Sequence, residues 1–474
     1  MTNSPIASRA LGYFSGRKSG RWMMATSAAA TNSPAAAPST GVRIFPIVFF
    51  LVYLNLTVFL FAFGPWQYPV GNGHRLYLFL VLAHLALLLG YLSAAFREPM
   101  GYSGRWTTRR LVRVSIFLSL VVLLPTSKFR TGQIIPDVLG GLTDPGEAYA
   151  WSQIVRGAGQ PFVEYVRILI GPFLAMALPL TVFYWRRMSW PLRLGGVISI
   201  LGTVALFIAM GTNKAIADTV LLIPCLIFAA HCAGRIKLGR RGILGLAAAS
   251  VLALGLFLAY FGFAVSSRDG SMVSAGYFAA THTHVDEDNF LVQHLSPVAA
   301  NVLIGLDLYV THGYYSLYLS LNEPFVPMFG VGNSTFLYRQ AARITGNAGI
   351  LDLPYPVRIE KYGWDSQLLW SSIYPWIASD VSFPGTIIVV FLIGRLFALS
   401  WLDTLQGDNP FAVAMFSIFL IVLFYFPANN QMLSSGEGCT ALVGILILWL
   451  RSRRRVSSPR PCPGQAPAAA WVHL

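Results

Sequence analysis

Long apolar runs separated by short polar joints dominate the chain between Val42 and Leu450. Seven of them come first, at Val42 to Gly64, Leu76 to Phe96, Leu111 to Pro125, Arg167 to Trp185, Pro191 to Met210, Ala215 to Ala233 and Ile243 to Val265. Three more follow at Pro384 to Trp401, Pro410 to Pro427 and Ser434 to Leu450. A helix needs about 20 apolar residues to cross the hydrocarbon of a bilayer, and the runs are much too long for barrel strands. The pattern predicts an all-α, polytopic membrane protein of about ten spans, with a large loop over 266–383 between the seventh and the eighth.

That division sets the domains. Residues 42–265 carry the first seven spans, 266–383 the loop and 384–450 the last three spans, with a basic tail at 451–474. Residues 1–41 hold Ser, Ala and basic residues and no acid, which fits a disordered basic tail, with a transit peptide as the alternative. Composition agrees with the pattern: 55% of the 474 residues are hydrophobic and 11% charged, against about 25% charged in soluble domains. Cys225, Cys232, Cys439 and Cys462 are too scattered to build a disulfide framework. Asn333 heads a formal glycosylation sequon.

Charge then orients the spans. Lys and Arg gather in alternate joints: around Arg9 to Arg43, Arg97 to Arg113, Arg186 to Arg193 and Arg235 to Arg241, with Arg395 and the C-terminal tail. These joints hold 23 basic residues and only Glu98, Asp403 and Asp408 as acids, so they are expected to be cytoplasmic, with both termini. The net charge of +15 is thus a topology signal and not a nucleic-acid patch. The segments 126–166 and 266–383 are expected to face outward from a cytoplasmic (inner) membrane.

Basic residues on the outward side run against the positive-inside bias and call for another cause. They include Lys128, Arg130, Arg156, Arg167, Lys214, Arg268, Arg339, Arg343, Arg358 and Lys361. Such cations just above a bilayer suit a lipid-linked phosphate or pyrophosphate, and Arg130, Arg167, Lys214, Arg268, Arg339 and Arg343 are the candidates; pairing with the surplus of outer acids is the bland alternative. His282, His284, Asp286, Glu287 and Asp288 have a spacing that can hold a metal, but a polar loop produces the same letters and spacing fixes no fourth ligand. No metal is assigned.

The run Leu306 to Gly332 is amphipathic and aromatic, with His312, Tyr314, Tyr315 and Tyr318 close together; it reads as an interfacial or re-entrant helix pair. Its tyrosines fit an interfacial belt or a sugar-binding surface. Trp364, Asp365, Trp370, Trp376 and Asp380 close the loop. Asp307, Asp365 and Asp380 are placed to act as general base, where burial at membrane level raises a carboxylate pKa. A helix cap for Asp380 and a salt bridge for Asp365 are the structural alternatives. The sequence has no Walker loop, no Gly-rich βαβ fingerprint and no nucleophile elbow.

Four places resemble the Wzy-type O-antigen and capsular polysaccharide repeat-unit polymerases, membrane glycosyltransferases of GT-C-like architecture. Gly211-Thr212-Asn213-Lys214 is similar to a tight outer turn ending in a basic residue, and Arg268 to the basic residue that opens the large loop. His312-Gly313-Tyr314-Tyr315, followed by Phe329-Gly330-Val331-Gly332, looks like the aromatic and glycine-containing segment. Trp370 to Gly385 resembles the Asp-Phe-Gly exit, although Val381-Ser382 separates Asp380 from Phe383 and Pro384 fills an interior place. The resemblance implies extracytoplasmic polymerisation of undecaprenyl-pyrophosphate-linked repeat units, without a cofactor or soluble sugar nucleotide. A flippase and a chain-length regulator of the same pathway would be partners. On it, Asp380, Asp365 and His312 are catalytic candidates, and Tyr314, Tyr315, Trp364, Trp370 and Trp376 would hold glycan. Glycan ligases would use the same equipment, and a flippase of lipid-linked glycan is a different class that the sequence also admits.

Overall fold

The computed structural model describes residues 38–158, 162–269, 277–278, 283–366 and 368–454. The tails at 1–37 and 455–474 and His282 lie outside the described residues, as does the side chain of Arg268. The chain opens with α1 (Thr40–Phe63) and α2 (His74–Ala95), the short strand β1 (Gly101–Tyr102) and α3 (Thr108–Thr131). Two short helices, α4 (Val138–Thr143) and α5 (Pro145–Ala158), lead into α6 (Phe162–Phe183), α7 (Trp190–Ala209), α8 (Lys214–Cys232) and α9 (Arg240–Asp269). The strands β2 (Tyr277–Phe278) and β3 (Thr283–His284) pair antiparallel, before α10 (Phe290–Gln293), α11 (Pro297–Ser320), α12 (Thr335–Thr345) and α13 (Tyr355–Arg358). Last come α14 (Ile373–Gln406), α15 (Pro410–Tyr425), α16 (Gly436–Ser452) and β4 (Arg453–Arg454), which pairs with β1.

Among the described residues, α1, α2, α3, α6, α7, α8, α9 and α14 are the eight helices long and apolar enough to cross a membrane. The protein is an all-α membrane protein. α15 is different: at 16 residues it rises about 24 Å, short of a bilayer core of about 30 Å. Nearly all of its side chains are buried, because α6, α8, α14 and α16 pack around it. Its short length is therefore tolerated inside protein rather than matched to lipid. Asn409 starts it, accepting the backbone N–H groups of Phe411 and Ala412 ahead of Pro410 at the first helical position.

The tightest helix pair is α2 with α14, and glycine explains it. A Cβ on Gly90 would lie 1.9 Å from the Phe391 carbonyl oxygen, and one on Gly394 would lie 2.2 Å from that of Leu87. The two backbones are thus in reciprocal contact, the close approach that small residues permit between membrane helices. Gly394→Val is expected to force them apart and lower thermal stability in detergent by about 2–4 kcal/mol; a melting temperature within a degree of the parent would contradict this packing.

α14 starts ahead of the apolar run seen in the sequence. Ile373 to Val381 is already helical, and Ser382, at φ 65° and ψ 170°, breaks the helix before Pro384. A non-glycine residue in this region carries strain. The Val381-Ser382 pair that separates Asp380 from Phe383 is therefore the kink itself.

Residues 283–366 fold back onto the bundle. α11 packs against α1 and α9: Tyr314 Oη meets Thr57 Oγ1 at 2.8 Å, Tyr68 Oη meets Thr311 Oγ1 at 2.9 Å, and Trp66 Nε1 donates to the Ile304 carbonyl at 2.8 Å. A strap over 284–289 adheres to the end of α1. Val285 bridges Trp66, the Gln67 N–H donates to His284, and Asn289 Nδ2 donates to the carbonyls of Phe63 and Gly64. This is the loop end of the bundle. At the tail end, buried Asp403 accepts from Arg453 Nε (2.7 Å), Trp449 Nε1 (2.9 Å) and the Met100 N–H (2.9 Å), fastening the β1–β4 pair to α14.

Candidate functional site

Tyr309, His312, Tyr315 and Tyr318 follow one another three residues apart along α11, so that each neighbours the next in a row that winds round the helix. Trp364 lies over His312 with ring centroids 6.1 Å apart and against Tyr315 at 6.2 Å, while Trp370 meets the edge of Tyr309 at 5.2 Å. Tyr68, from the α1–α2 connection, stacks on Tyr315 at 5.6 Å. The array thus combines residues from α11, the passage before α14 and a joint more than two hundred residues upstream. Trp370 is 40% exposed, while Trp364 is buried with its indole N–H unpartnered.

Not every aromatic candidate joins this array. Tyr314 points to α1, bonded to Thr57 and edge-on to Phe61. Trp376 stacks on Tyr338 of α12 at 6.3 Å, in a separate cluster with Met328. Tyr309 and Tyr68 belong to the array though neither was singled out in the sequence. The three-residue spacing through His312 could have found Tyr309; nothing local marks Tyr68.

Asp307 lies on the side of α11 that faces the end of α1, close enough to Tyr68 for its charge to act on that hydroxyl. It is fully buried, and neither carboxylate oxygen has a side-chain hydrogen-bond partner. Gly64 sits against it, since a Cβ there would be 2.6 Å from Oδ2, and the Trp66 backbone is the polar group that leans on it. Burial pushes its carboxyl up to about 8, partly offset by the Trp66 backbone. The 284–289 strap, bonded to Gly64, closes over this corner.

His312 is placed differently. Its Nδ1 meets the Leu308 carbonyl at 2.6 Å, the Trp370 backbone is its second partner, and burial drives the imidazole down to about 4. It is neutral at pH 7 and held by backbone, which suits it to fixing Trp370 and Trp364 in place.

Asp380 is enclosed by donors. Its Oδ1 accepts the N–H groups of Gly330 and Gly332, each at 2.8 Å, and its Oδ2 accepts the Asn333 N–H at 2.9 Å and Nδ2 at 2.6 Å. Successive N–H groups curling round an oxyanion form a nest, and here the anion is the chain's own. Phe329 and Gly330 adopt φ of 53° and 91° to make the curl. Asp380 latches residues 329–333 to α14, and the Asn333 amide of the sequon is consumed in that latch. Asp365 accepts the Leu368 N–H at 3.2 Å, shaping the turn between Trp364 and Trp370. Glu323 is likewise committed: burial opposes its ionisation, but Lys361, Tyr362 and Arg358 hold it below the usual carboxylate range.

The cations form a corner of their own. Arg130 grips Glu164 through two bonds, at 2.8 and 3.0 Å, and Arg167 grips Glu437 at 2.7 Å while donating to Thr126 Oγ1 at 3.1 Å. Arg343 of α12 reaches Tyr165 Oη at 3.2 Å. Arg156 faces this corner, and burial followed by the charge of Arg130 lowers its guanidinium pKa. Arg130, Arg156, Arg167, Glu164 and Glu437 therefore meet where α3, α5, α6 and α16 converge. Arg339 is exposed on α12.

Lys214 lies elsewhere, on the first turn of α8, bonded at 2.5 Å to Asp218, which stands beside the Tyr425 hydroxyl. Gly211 makes the preceding turn at φ 62°, pressed on Pro145 of α5. The Gly146 N–H donates to Ser267 Oγ at 3.0 Å, drawing the end of α9 to α5. Among the described residues no three His, Cys, Asp or Glu side chains gather as a metal site; His284 instead packs on Tyr277 at 4.6 Å. Compared with family models, with curated proteins and with solved structures, the chain matches none of them.

Proposed function

We propose that the protein is a membrane glycosyltransferase that polymerises lipid-linked oligosaccharide repeat units at the outer face of the cytoplasmic membrane. The observation that carries this is a buried carboxylate without a side-chain partner, Asp307 of α11, whose charge reaches Tyr68, one member of an aromatic array built by Tyr68, Tyr309, Tyr315, Trp364 and Trp370. Aromatic faces pack against the apolar faces of pyranose rings, and a carboxylate of raised pKa takes a proton from a hydroxyl near neutral pH. The distribution of basic residues supports ten spans, with the loop end outward and both termini cytoplasmic.

In the proposed step, the acceptor hydroxyl oxygen of one repeat unit attacks the anomeric carbon of the growing glycan. The bond from that carbon to the carrier pyrophosphate breaks, and the electron pair leaves with the pyrophosphate. Asp307 takes the hydroxyl proton once the 284–289 strap moves aside for the acceptor. The Arg130, Arg156 and Arg167 corner neutralises the departing pyrophosphate, exchanging Glu164 and Glu437 for phosphate oxygens. His312, Asp365 and Asp380 position the aromatic wall and the latch.

Release of free polyprenyl pyrophosphate from a polyprenyl-pyrophosphate-linked repeat unit tests the class directly. Purified protein in proteoliposomes is expected to release it in step with glycosidic bond formation. Movement of intact substrate across the bilayer without release would instead mark a flippase.

A further inference from the structure

The tail end of the bundle holds a cavity of about 210 Å³ that the proposed reaction does not use, between the start of α3 and the turn from α6 to α7. Its polar rim is Thr108, Arg109 and Arg187, and its apolar wall is Val112, Met188 and Leu192. No carboxylate lines it. The neighbouring arginines are already engaged: Arg110 stacks over Trp106 at 4.5 Å, and Arg193 stacks over Trp185 and donates to the carbonyls of Trp185 and Arg186. Two acids at this end are engaged as well, Asp408 with Arg235 and Asp403 with Arg453. The side chains of Arg109 and Arg187 are exposed, make no hydrogen bond or ion pair among the described residues, and flank one cavity.

We propose that this cavity binds a phosphate ester, held by the forks of Arg109 and Arg187 and the Thr108 hydroxyl. Arg offers two parallel donors to phosphate oxygens. The cavity sits where spanning helices end, the depth of a lipid headgroup, and Val112, Met188 and Leu192 present an apolar wall to an attached acyl chain. An anionic phospholipid supplies both parts of such a ligand. A general attraction of basic joints to anionic membranes needs neither the cavity nor these two residues.

The test uses the full chain in nanodiscs of phosphatidylcholine with or without phosphatidylglycerol, scoring retained phosphatidylglycerol by native mass spectrometry. R109Q/R187Q is expected to lower retention by about tenfold. The control R240Q/R241Q removes the same charge from the same end and is expected to retain the lipid. R109K/R187K, which keeps charge but loses the fork, guards against misfolding and is expected to fall between the two. Equal loss in R109Q/R187Q and R240Q/R241Q would overturn the site. Stabilisation of the parent by inorganic phosphate in pure phosphatidylcholine, lost in R109Q/R187Q, would support the site with a soluble phosphate as its ligand.

Discussion

Asp307→Asn is expected to reduce glycan transfer by about 10²–10⁴-fold, the usual contribution of a general base. Asparagine keeps the shape and cannot take the proton. In the parent the rate should rise by about tenfold per pH unit and level off near pH 8, because the carboxyl is pushed up to about 8 and only its ionised form is a base. Stability should move the other way. An unfolded Asp loses its proton near pH 4, whereas folded Asp307 keeps it to about 8. Across that window the folded state binds the extra proton, so stability falls as pH rises, by up to about 1.4 kcal/mol per unit. Asp307→Asn removes the penalty, and its melting temperature should change less between pH 5 and pH 9, taken as roughly the titration window, than that of the parent. A variant that is both fully active and unchanged in this slope would remove Asp307 from the site.

Asp380→Asn should open the loop end. Its amide would turn an N–H group toward donors that now meet a carboxylate, at a cost of about 3 kcal/mol. Hydrogen exchange at Gly330, Gly332 and Asn333 should accelerate, and glycan transfer should fall with it. The pairing of effects matters. If Asp380 were the base, transfer would be lost while these amides stayed protected.

Hydropathy made the bundle legible, since each of the ten apolar runs coincides with a helix, α1 to α3, α6 to α9 and α14 to α16. The start of α14 escaped it because Ile373 to Asp380 is polar and aromatic, and this helix is stabilised by packing under α12 and α13 rather than by apolar composition. The site was legible by residue type and not by partnership. Arg167 and Glu437 are 270 positions apart and Asp380 and Gly330 are 50 apart, so no local spacing announces either contact. Asp307, Asp365 and Asp380 looked alike as acids near the membrane; burial and donors separate them. One is buried without a side-chain partner, one shapes a turn and one is held in a nest.

Bond formation between repeat units is the step that defines the proposed activity. Purified protein incubated with a single polyprenyl-pyrophosphate-linked repeat unit, with products resolved by electrophoresis, should yield a ladder of glycans increasing by one repeat, and Asp307→Asn should leave only the starting unit. Single repeat units unchanged by the parent protein, from a substrate that an active polymerase extends in parallel, would contradict the account.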